Sequence, residues 1–578
     1  LIGRPVFPGM VTESGDLVVL AVQRRGEDLG PGEQILAAGD SLLLQGTWKA
    51  LDEHLDDPDV LVVDSPEVVR RQAVPMGAGA YSAIAVLLLM VAALATGAVP
   101  SVIAALVAGI AYRTATYSPL AGDSTTPVEL APAVHIDGAR AAQHLAEAVR
   151  FRTVSHQDAT DNDWAEWDRL HAWLAATYPA AHAAMARETV AGHTLVYTWH
   201  GSDPSLPPIV LMAHHDVVPV TPGTEQDWSH PPFDGVIADG AVWGRGSVDD
   251  KGSMIGLFEG IESLATSGFV PRRTVYVVSG HDEEAGGTGA HAAAQLLNAR
   301  GVHAEFVLDE GLAVISDFPL LGRPVALIGI AEKGYATLKV TAPATGGHSS
   351  APPPETGVEV LARAVLAITG DPFPLEFKGP AADMVRALAP DAPLLVRVAV
   401  ANEWLFGRLL VRQIAATAAG AATLHTTIAP TMLRGSPKEN VLPQDATAWI
   451  NYRIAPGLTA DDVMQRASAA TSGLHVTLAW EGPAYDPSPV SSSTSKAYRV
   501  MAELAAGAER TPVAPGLVTA TTDSRHMAGL AQDVYRFQPI VASIGELQMI
   551  HGTNEHMTLD NLRRTAEFYA RLVATVAR

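Results

Sequence analysis

The chain contains no cysteine. Disulfide scaffolds, thiolate metal sites and a cysteine nucleophile drop out together. Charge is scarce as well, and what there is runs acidic: 39 basic against 62 acidic side chains, a net −23, which argues against a nucleic-acid backbone as the main partner. Two catalytic signatures are missing. No Gly-x-Ser-x-Gly elbow occurs and no histidine is followed by glutamate, so a serine hydrolase and a His-Glu-x-x-His protease both lose support. Nor is there an internal repeat or a low-complexity tract. What is present is apolar, 48% of 578 residues, enough to exclude long-range disorder and to fill roughly three or four domain-sized units.

The longest feature is Met76–Tyr112, 37 residues without one charged side chain. A bilayer core needs about 20 apolar residues in a helix, so the stretch is ample for one span. Its interruption at Gly97, Ala98, Val99 and Pro100 equally fits a hairpin of one full and one short helix. The expected location is a membrane: Arg70 and Arg71 before the run and Arg113 after it favour residues before 75 on the cytoplasmic side, and the side of the rest stays open, since one span or two gives opposite answers. Upstream, Leu17–Val22 and Ser41–Gln45 read as strands of a small α/β module over 1–72, with Gly39 and Asp40 turning between them. The text "DLVVLAVQRRGE…ILAAGDSLLLQG" resembles the TrkA-C domain of ion-transport regulators and divalent-anion symporters, and the hydrophobic stretch after it is similar to the segment next to that domain in those symporters. The first residue is Leu rather than Met, as expected of a chain that begins inside a longer product or of a gene-boundary error joining two parts.

From about Pro127 the pattern becomes alternating strand and helix, which predicts an α/β fold with helices on a central, mostly parallel sheet. The short apolar runs 208–213, 274–279 and 305–308 have the look of buried parallel strands. Each runs into polar chemistry: His214-His215-Asp216, His281-Asp282-Glu283-Glu284 and Asp309-Glu310. Ligand sites in open α/β sheets lie beyond the carboxyl ends of strands, so metal-type side chains gather at one edge. The predicted layout is a catalytic domain in two parts, 127–332 and 484–578, around an inserted α+β domain, 333–483, whose strands include Ala336–Val340 and Ala446–Ile454. An amphipathic helix from Leu559 to Arg578 closes it, with Leu562, Phe568, Leu572 and Val573 near helical spacing.

A two-zinc hydrolytic site needs nitrogen or carboxylate ligands on each ion and one group reaching both. His214, Asp249, Glu284, Asp309 and His551 stand in suitable contexts. Asp249 lies in "GRGSVDDKG", where Gly244, Gly246 and Gly252 permit tight turns and where no Gly-Lys pair exists to make a phosphate loop. Glu283 and Glu284 are neighbours, and on extended backbone they would face opposite ways, one toward metal and one toward substrate as general base. Asp216, two residues past His214, can take a hydrogen bond from the imidazole and fix its tautomer.

Residues from about 135 to 578 resemble the zinc metallopeptidases of the carboxypeptidase S, aminoacylase and N-acyl-amino-acid hydrolase family. The motifs, in order, are "LMAHHDVVPV", "VWGRGSVDDKGS", "GHDEEAGGTGA", "VLDEG", "GGHSSAPP", "GSPKENVLPQ", "INYRIAPG", "TATTDSR" and "HGTNE". The resemblance implies two zinc ions per subunit. It puts His214 and Asp309 on one, Glu284 and His551 on the other, Asp249 between them, Glu283 as general base and acid, Asp216 as the clamp on His214, and His215 outside the set. It makes the inserted domain a lid that mediates dimerisation, with His348 polarising the scissile carbonyl and Asn440 and Arg453 holding a substrate carboxylate. The expected substrate is a short peptide or N-acyl amino acid. A rival expectation is a transport-regulatory membrane protein in which the hydrolase part acts as a sensor.

Overall fold

The computed structural model describes residues 4–8, 10, 17–24, 27–28, 30, 32–37, 40–46, 101–118 and 128–578. The chain divides into two compact units, Leu1–Ala108 and Gly109–Arg578. In the first, both apolar runs are strands: Leu17–Arg24 pairs antiparallel with Asp40–Gly46, Leu17 opposite Gly46 and Arg24 opposite Asp40. A register shift between Val19 and Ala21 breaks the alternation, which is how Val19 and Val22 both come to be buried. These strands add no support for the TrkA-C likeness. The rest of that expected module, 47–72, lies outside the described residues, as does 76–100 of the uncharged run. The run ends in the helix Ser101–Ala115. No helix among the described residues is long and apolar enough to cross a membrane.

The second unit is built on an eight-stranded sheet. In chain order it takes β1 (Ala186–Val190), β2 (Thr194–Trp199), β3 (Ile209–Met212), β4 (Val275–Ser279), β5 (Ala304–Phe318) and β6 (Arg323–Glu332). The inserted domain comes next with β7 (Gly334–Pro343), β8 (Thr427–Arg434), β9 (Asp445–Ile454) and β10 (Thr477–Trp480). The chain then returns with β11 (Val513–Val518) and β12 (Ala531–Ala542). The spatial order of the main sheet is β11-β6-β12-β5-β3-β4-β2-β1.

The sheet is mixed rather than mostly parallel. β3 runs parallel to β4 and β5, β5 to β12, and β6 to β11. The hairpin β1–β2 joins antiparallel, turning at Ala191 and Gly192, both at positive φ, and β6 folds back antiparallel on β5. The apolar text of β2 and β4 predicts burial on both faces but not strand direction; a tight turn sets direction, and short loops reverse the chain at both places. The parallel centre is what matters for the site, because β3 and β4 end side by side, Met212 opposite Val278.

Two helices hold the buried face of this sheet. α1 (Lys251–Thr266) starts directly after the Asp249 loop, and α2 (Leu559–Val576) packs along it. They approach so closely that a Cβ on Gly256 would lie 2.5 Å from Thr565 Cγ2, and one on Gly260 3.0 Å from the Ala566 carbonyl oxygen. Leu562, Phe568, Leu572 and Val573 all enter the core, and Thr558 caps α2 by accepting from the Asn561 amide at 3.2 Å. The insert has a hydrophobic cluster of its own, in which alternate residues of β7 (Ala336, Leu338, Val340) meet Ala448, Ile450 and Tyr452 of β9. Its sheet is antiparallel with order β8-β9-β7-β10.

Candidate metal centre

His214 leaves the end of β3, and Asp249 lies in the loop before α1. The two oxygens of the Asp249 carboxylate face different histidines: Oδ1 is 2.9 Å from His214 Nε2 and Oδ2 is 3.1 Å from His551 Nε2. Glu284 Oε1 is 3.0 Å from the same nitrogen of His551. The ligand atoms of His214, Asp249 and Glu284 all lie within 4.8 Å of one another. One carboxylate therefore spans two imidazoles that come from residues 337 positions apart in the chain (551 − 214). That is the arrangement a bridging ligand requires.

The backing shell is buried and specific. Asp216, fully buried, sits 3.2 Å from His214 Nδ1 through Oδ1, so the proton on that nitrogen stays put and Nε2 is left to face Asp249. The same carboxylate accepts from the Glu283 and Glu284 amides, each at 3.1 Å, and from Ser155 Oγ at 2.5 Å. His215 turns away into the core, between Ser279 Oγ at 2.8 Å and His171 Nε2 at 3.1 Å, and burial pushes its pKa well down. It has no part in the cluster.

Glu283 and Glu284 lie in a short 3-10 turn, Glu283–Ala285, and not on extended backbone. Their divergence comes from the roughly 120° step of three residues per turn. The Glu284 side chain reaches His551, while Glu283 meets the site through its amide on Asp216.

At the third carboxylate the strand runs on past the point expected from the sequence, and both Asp309 and Glu310 lie near His214. β5 does not stop at Leu308 but continues to Phe318, with register shifts against β12 between Asp309 and Leu312 and a positive φ of 142° at Gly311. Asp309 is turned into the protein, where its oxygens accept from the Ser524 amide at 2.8 Å and the Glu310 amide at 2.9 Å. Glu310 is the side chain that faces the cluster, Oε1 lying 3.8 Å from His214 Nε2.

Sequence reasoning also passed over Glu555 and Arg245. Glu555 is wholly buried, forms a 2.6 Å ion pair with Arg245 and accepts from the amides of Gly246, Val248 and Asp249 at 3.0, 2.9 and 3.1 Å. Arg245 also donates to the Gly552 carbonyl at 2.8 Å. The loop carrying His551 and the loop carrying Asp249 are thus tied together. The signal was the acid closing "HGTNE" and the arginine inside "GRGS".

The electrostatics favour a cation. Burial opposes ionisation of Asp249, but the hydrogen bonds of His214 and His551 outweigh it and hold its carboxyl below the ordinary value. Burial, joined by neighbouring carboxylates, pushes Glu283, Glu310 and Asp250 well up, and burial with Asp249 lifts Glu284 to about 7. His551, half-exposed, is pushed up to about 10 by its bonds to Asp249 and Glu284. So many acids crowded against two imidazoles is a hard oxygen and nitrogen donor set that divalent ions would neutralise. The residues fit the zinc that the motifs imply.

The lid residues stand apart from this cluster. His348 lies on the short strand Gly347–His348, paired with Val441 next to Asn440, and its Nδ1 accepts from the Ser350 amide at 3.1 Å. Arg453 of β9 stacks its guanidinium 4.8 Å over the Tyr335 ring. None of the three shares a hydrogen bond or ion pair with the cluster residues. Beside Arg453, Arg525 stacks 5.2 Å over Tyr485, and Tyr335 and Tyr485 exchange backbone hydrogen bonds of 2.9 and 2.8 Å.

A mixed α/β sheet that gathers two histidines and several carboxylates at one place fits a metal-dependent hydrolase. The chain belongs to peptidase family M20/M25/M40, whose family model matches residues 210–575. It is 35% identical over 443 residues to the probable carboxypeptidase S-like 2 of Dictyostelium discoideum, covering 75% of this chain and 84% of that protein. It is 37% identical over 392 residues to human N-fatty-acyl-amino acid synthase/hydrolase PM20D1, covering 67% and 77%. Among solved structures it is similar to the M20 family metallo-carboxypeptidase Sso-CP2 of Sulfolobus solfataricus, with a TM-score of 0.56 at 17% identity over 75% of this chain and 99% of that one, which shows the fold. The transport-regulatory alternative gains no support from these comparisons.

Proposed function

We propose that the chain is a two-zinc amidohydrolase that cleaves the amide bond of a short peptide or N-acyl amino acid next to a free carboxylate, and that it works at a membrane. The observation that carries the reading is the Asp249 carboxylate spanning His214 and His551. His214 and Glu310 would serve one ion, Glu284 and His551 the other, with Asp249 shared. Bound there, the ions supply Lewis-acid polarisation of the amide carbonyl and acidify water.

Glu283 is the proton carrier. Burial holds its carboxyl well above the usual range, and a carboxyl at this place takes the proton of the attacking water and returns it to the leaving nitrogen. Asp216 fixes the turn that carries Glu283 and the tautomer of His214 at once. Arg453 is the group to pair with the substrate carboxylate, with Asn440 and His348 completing the contact when lid and catalytic face meet in a homodimer. The relatives named carboxypeptidase S-like and N-fatty-acyl-amino acid synthase/hydrolase support this choice of substrate class. The membrane location rests on the uncharged run Met76–Tyr112. No role in the reaction falls to residues 1–72.

The test is a hydrolysis screen of C-terminally free dipeptides and N-acyl amino acids against the purified chain. Activity should vanish with chelator, return with zinc, and fall when the substrate carboxylate is amidated. Turnover that survives chelation, or that ignores amidation, would overturn the assignment.

A further inference from the structure

The helix Glu403–Ile414 of the insert shows an unusual face. Its exposed positions are Trp404, Leu405, Arg408, Leu409, Arg412 and Gln413, spaced i, i+1, i+4, i+5, i+8 and i+9, a single stripe. Trp404 is 59% exposed and Leu409 56%, while Leu410 on the opposite face is buried. The one acid of this helix, Glu403, is taken up by Arg386 at 2.8 Å. Every charge on the stripe is therefore an arginine, in a chain with an excess of 23 acids (62 − 39). Leu394 and Leu395, at the start of the preceding helix Leu394–Ala401, are exposed too.

The elbow between these two helices is fastened to one further element. Asn402 donates to Thr114 Oγ1 at 3.2 Å and to the Ile110 carbonyl at 3.4 Å, Arg113 donates to the Ala401 carbonyl at 3.3 Å, and the Tyr117 hydroxyl donates to the Arg386 carbonyl at 3.1 Å. The polypeptide that leads into this contact is the uncharged run Met76–Tyr112.

We propose that the Trp404–Gln413 stripe lies on an anionic lipid bilayer, with Trp404, Leu405 and Leu409 in the headgroup–acyl boundary and Arg408 and Arg412 against lipid phosphates. Tryptophan favours the membrane interface, and exposed arginines beside it pair with anionic headgroups. Charge selects the occupant: a second copy seated symmetrically would set arginines against arginines, whereas an acidic bilayer surface pairs with them. The elbow beside the stripe is bonded to Ile110, Arg113 and Thr114, where the uncharged run ends in sequence. The inference rests on the membrane location proposed above, and is independent of the hydrolytic reading.

The absence of cysteine makes the test clean. Single cysteines are placed at Leu405 (Leu405→Cys) and, as reference, at the exposed Glu509 (Glu509→Cys) in the full chain, labelled with a polarity-sensitive dye, and the protein is reconstituted into phosphatidylcholine vesicles with and without phosphatidylglycerol. The expected result is a blue shift at position 405 only, quenching there by bromine-labelled acyl chains that exceeds the reference at least about twofold, and protection from aqueous iodide. Adding Arg408→Glu and Arg412→Glu should remove the gain conferred by phosphatidylglycerol while hydrolysis in detergent is retained. Iodide quenching at 405 equal to that at 509 overturns the proposal. Protection from both quenchers overturns it as well, assigning the face to a second copy if protection grows with protein concentration and to the chain's own residues if it does not. A chain that fails to float with vesicles sinks the membrane location itself and leaves the zinc chemistry to its own assay.

Discussion

Replacing Glu555 by glutamine tests whether the loops that carry Asp249 and His551 are held by one carboxylate. In the folded chain Oε2 receives Arg245 at 2.6 Å and the Gly246 amide at 3.0 Å. The substitution either turns an NH2 group onto those two donors or, flipped, onto the amides of Val248 and Asp249. It also strands the charge of Arg245, only 2% exposed. Breaking a buried pair in this way costs about 3–5 kcal/mol. Displacement of the backbone at Asp249 should separately weaken zinc binding by roughly 10–100-fold, as loss of a partner behind the ligands does. Zinc affinity is read by competition with a calibrated chelator, and stability by urea unfolding of the metal-free chain. The companion variant Arg245→Met removes the stranded charge, so Glu555→Gln with Arg245→Met should be less damaging than the sum of the single changes. If Glu555→Gln keeps its zinc affinity within about twofold and its stability within about 1 kcal/mol, the bracing role is refuted, because neither the ion pair nor the loop geometry can then be contributing what its burial implies.

Other outcomes rest on the same geometry. Glu283→Gln should fold and bind zinc normally but lose about 10²–10⁴-fold in turnover, measured as kcat on an N-acyl amino acid. Glu310→Gln should lower zinc affinity or occupancy by metal analysis, whereas Asp309→Asn, which changes a side chain engaged by the Ser524 and Glu310 amides, should leave stoichiometry intact; the reverse pattern would restore Asp309 as the ligand. Zinc uptake near pH 7 should release protons, because His551 is held at about 10 and His214 is also raised, so apparent affinity climbs with pH by up to about tenfold per unit for each proton displaced. For the metal-free chain the sign is opposite. The His551 pairing contributes stability below its unfolded value near 6.5 and loses it as pH rises through about 10, visible in urea midpoints across that window.

Much of the centre was legible because ligand-bearing text comes directly after apolar runs that could only be buried strands. His214 after β3 and Glu284 after β4 are of this kind, and the structure places them together with Asp249 and His551. What the sequence left open depends on backbone phase or on a distant partner. Asp309 and Glu310 differ only in which way an irregular strand turns them, and that is settled by the register shift against β12, a strand more than two hundred residues later. The expectation of a mostly parallel sheet failed where short turns reverse β2 onto β1 and β6 onto β5, since apolar alternation carries no arrow. Glu555 went unnoticed because its importance lies in the Arg245 it meets, 310 positions away.

The place of β12 in the sheet has a consequence for how the molecule is made. It is wedged between β5 and β6, which are synthesised two hundred residues earlier, and the segment after it delivers His551, Glu555 and the helix that packs along α1. A ribosome that has finished the insert has therefore produced a sheet with an open slot and only part of the candidate metal centre. On the function proposed above, no shorter product would hydrolyse substrate before translation had passed His551, and a stop ahead of β12 would leave β5 and β6 with an unpaired edge that invites aggregation.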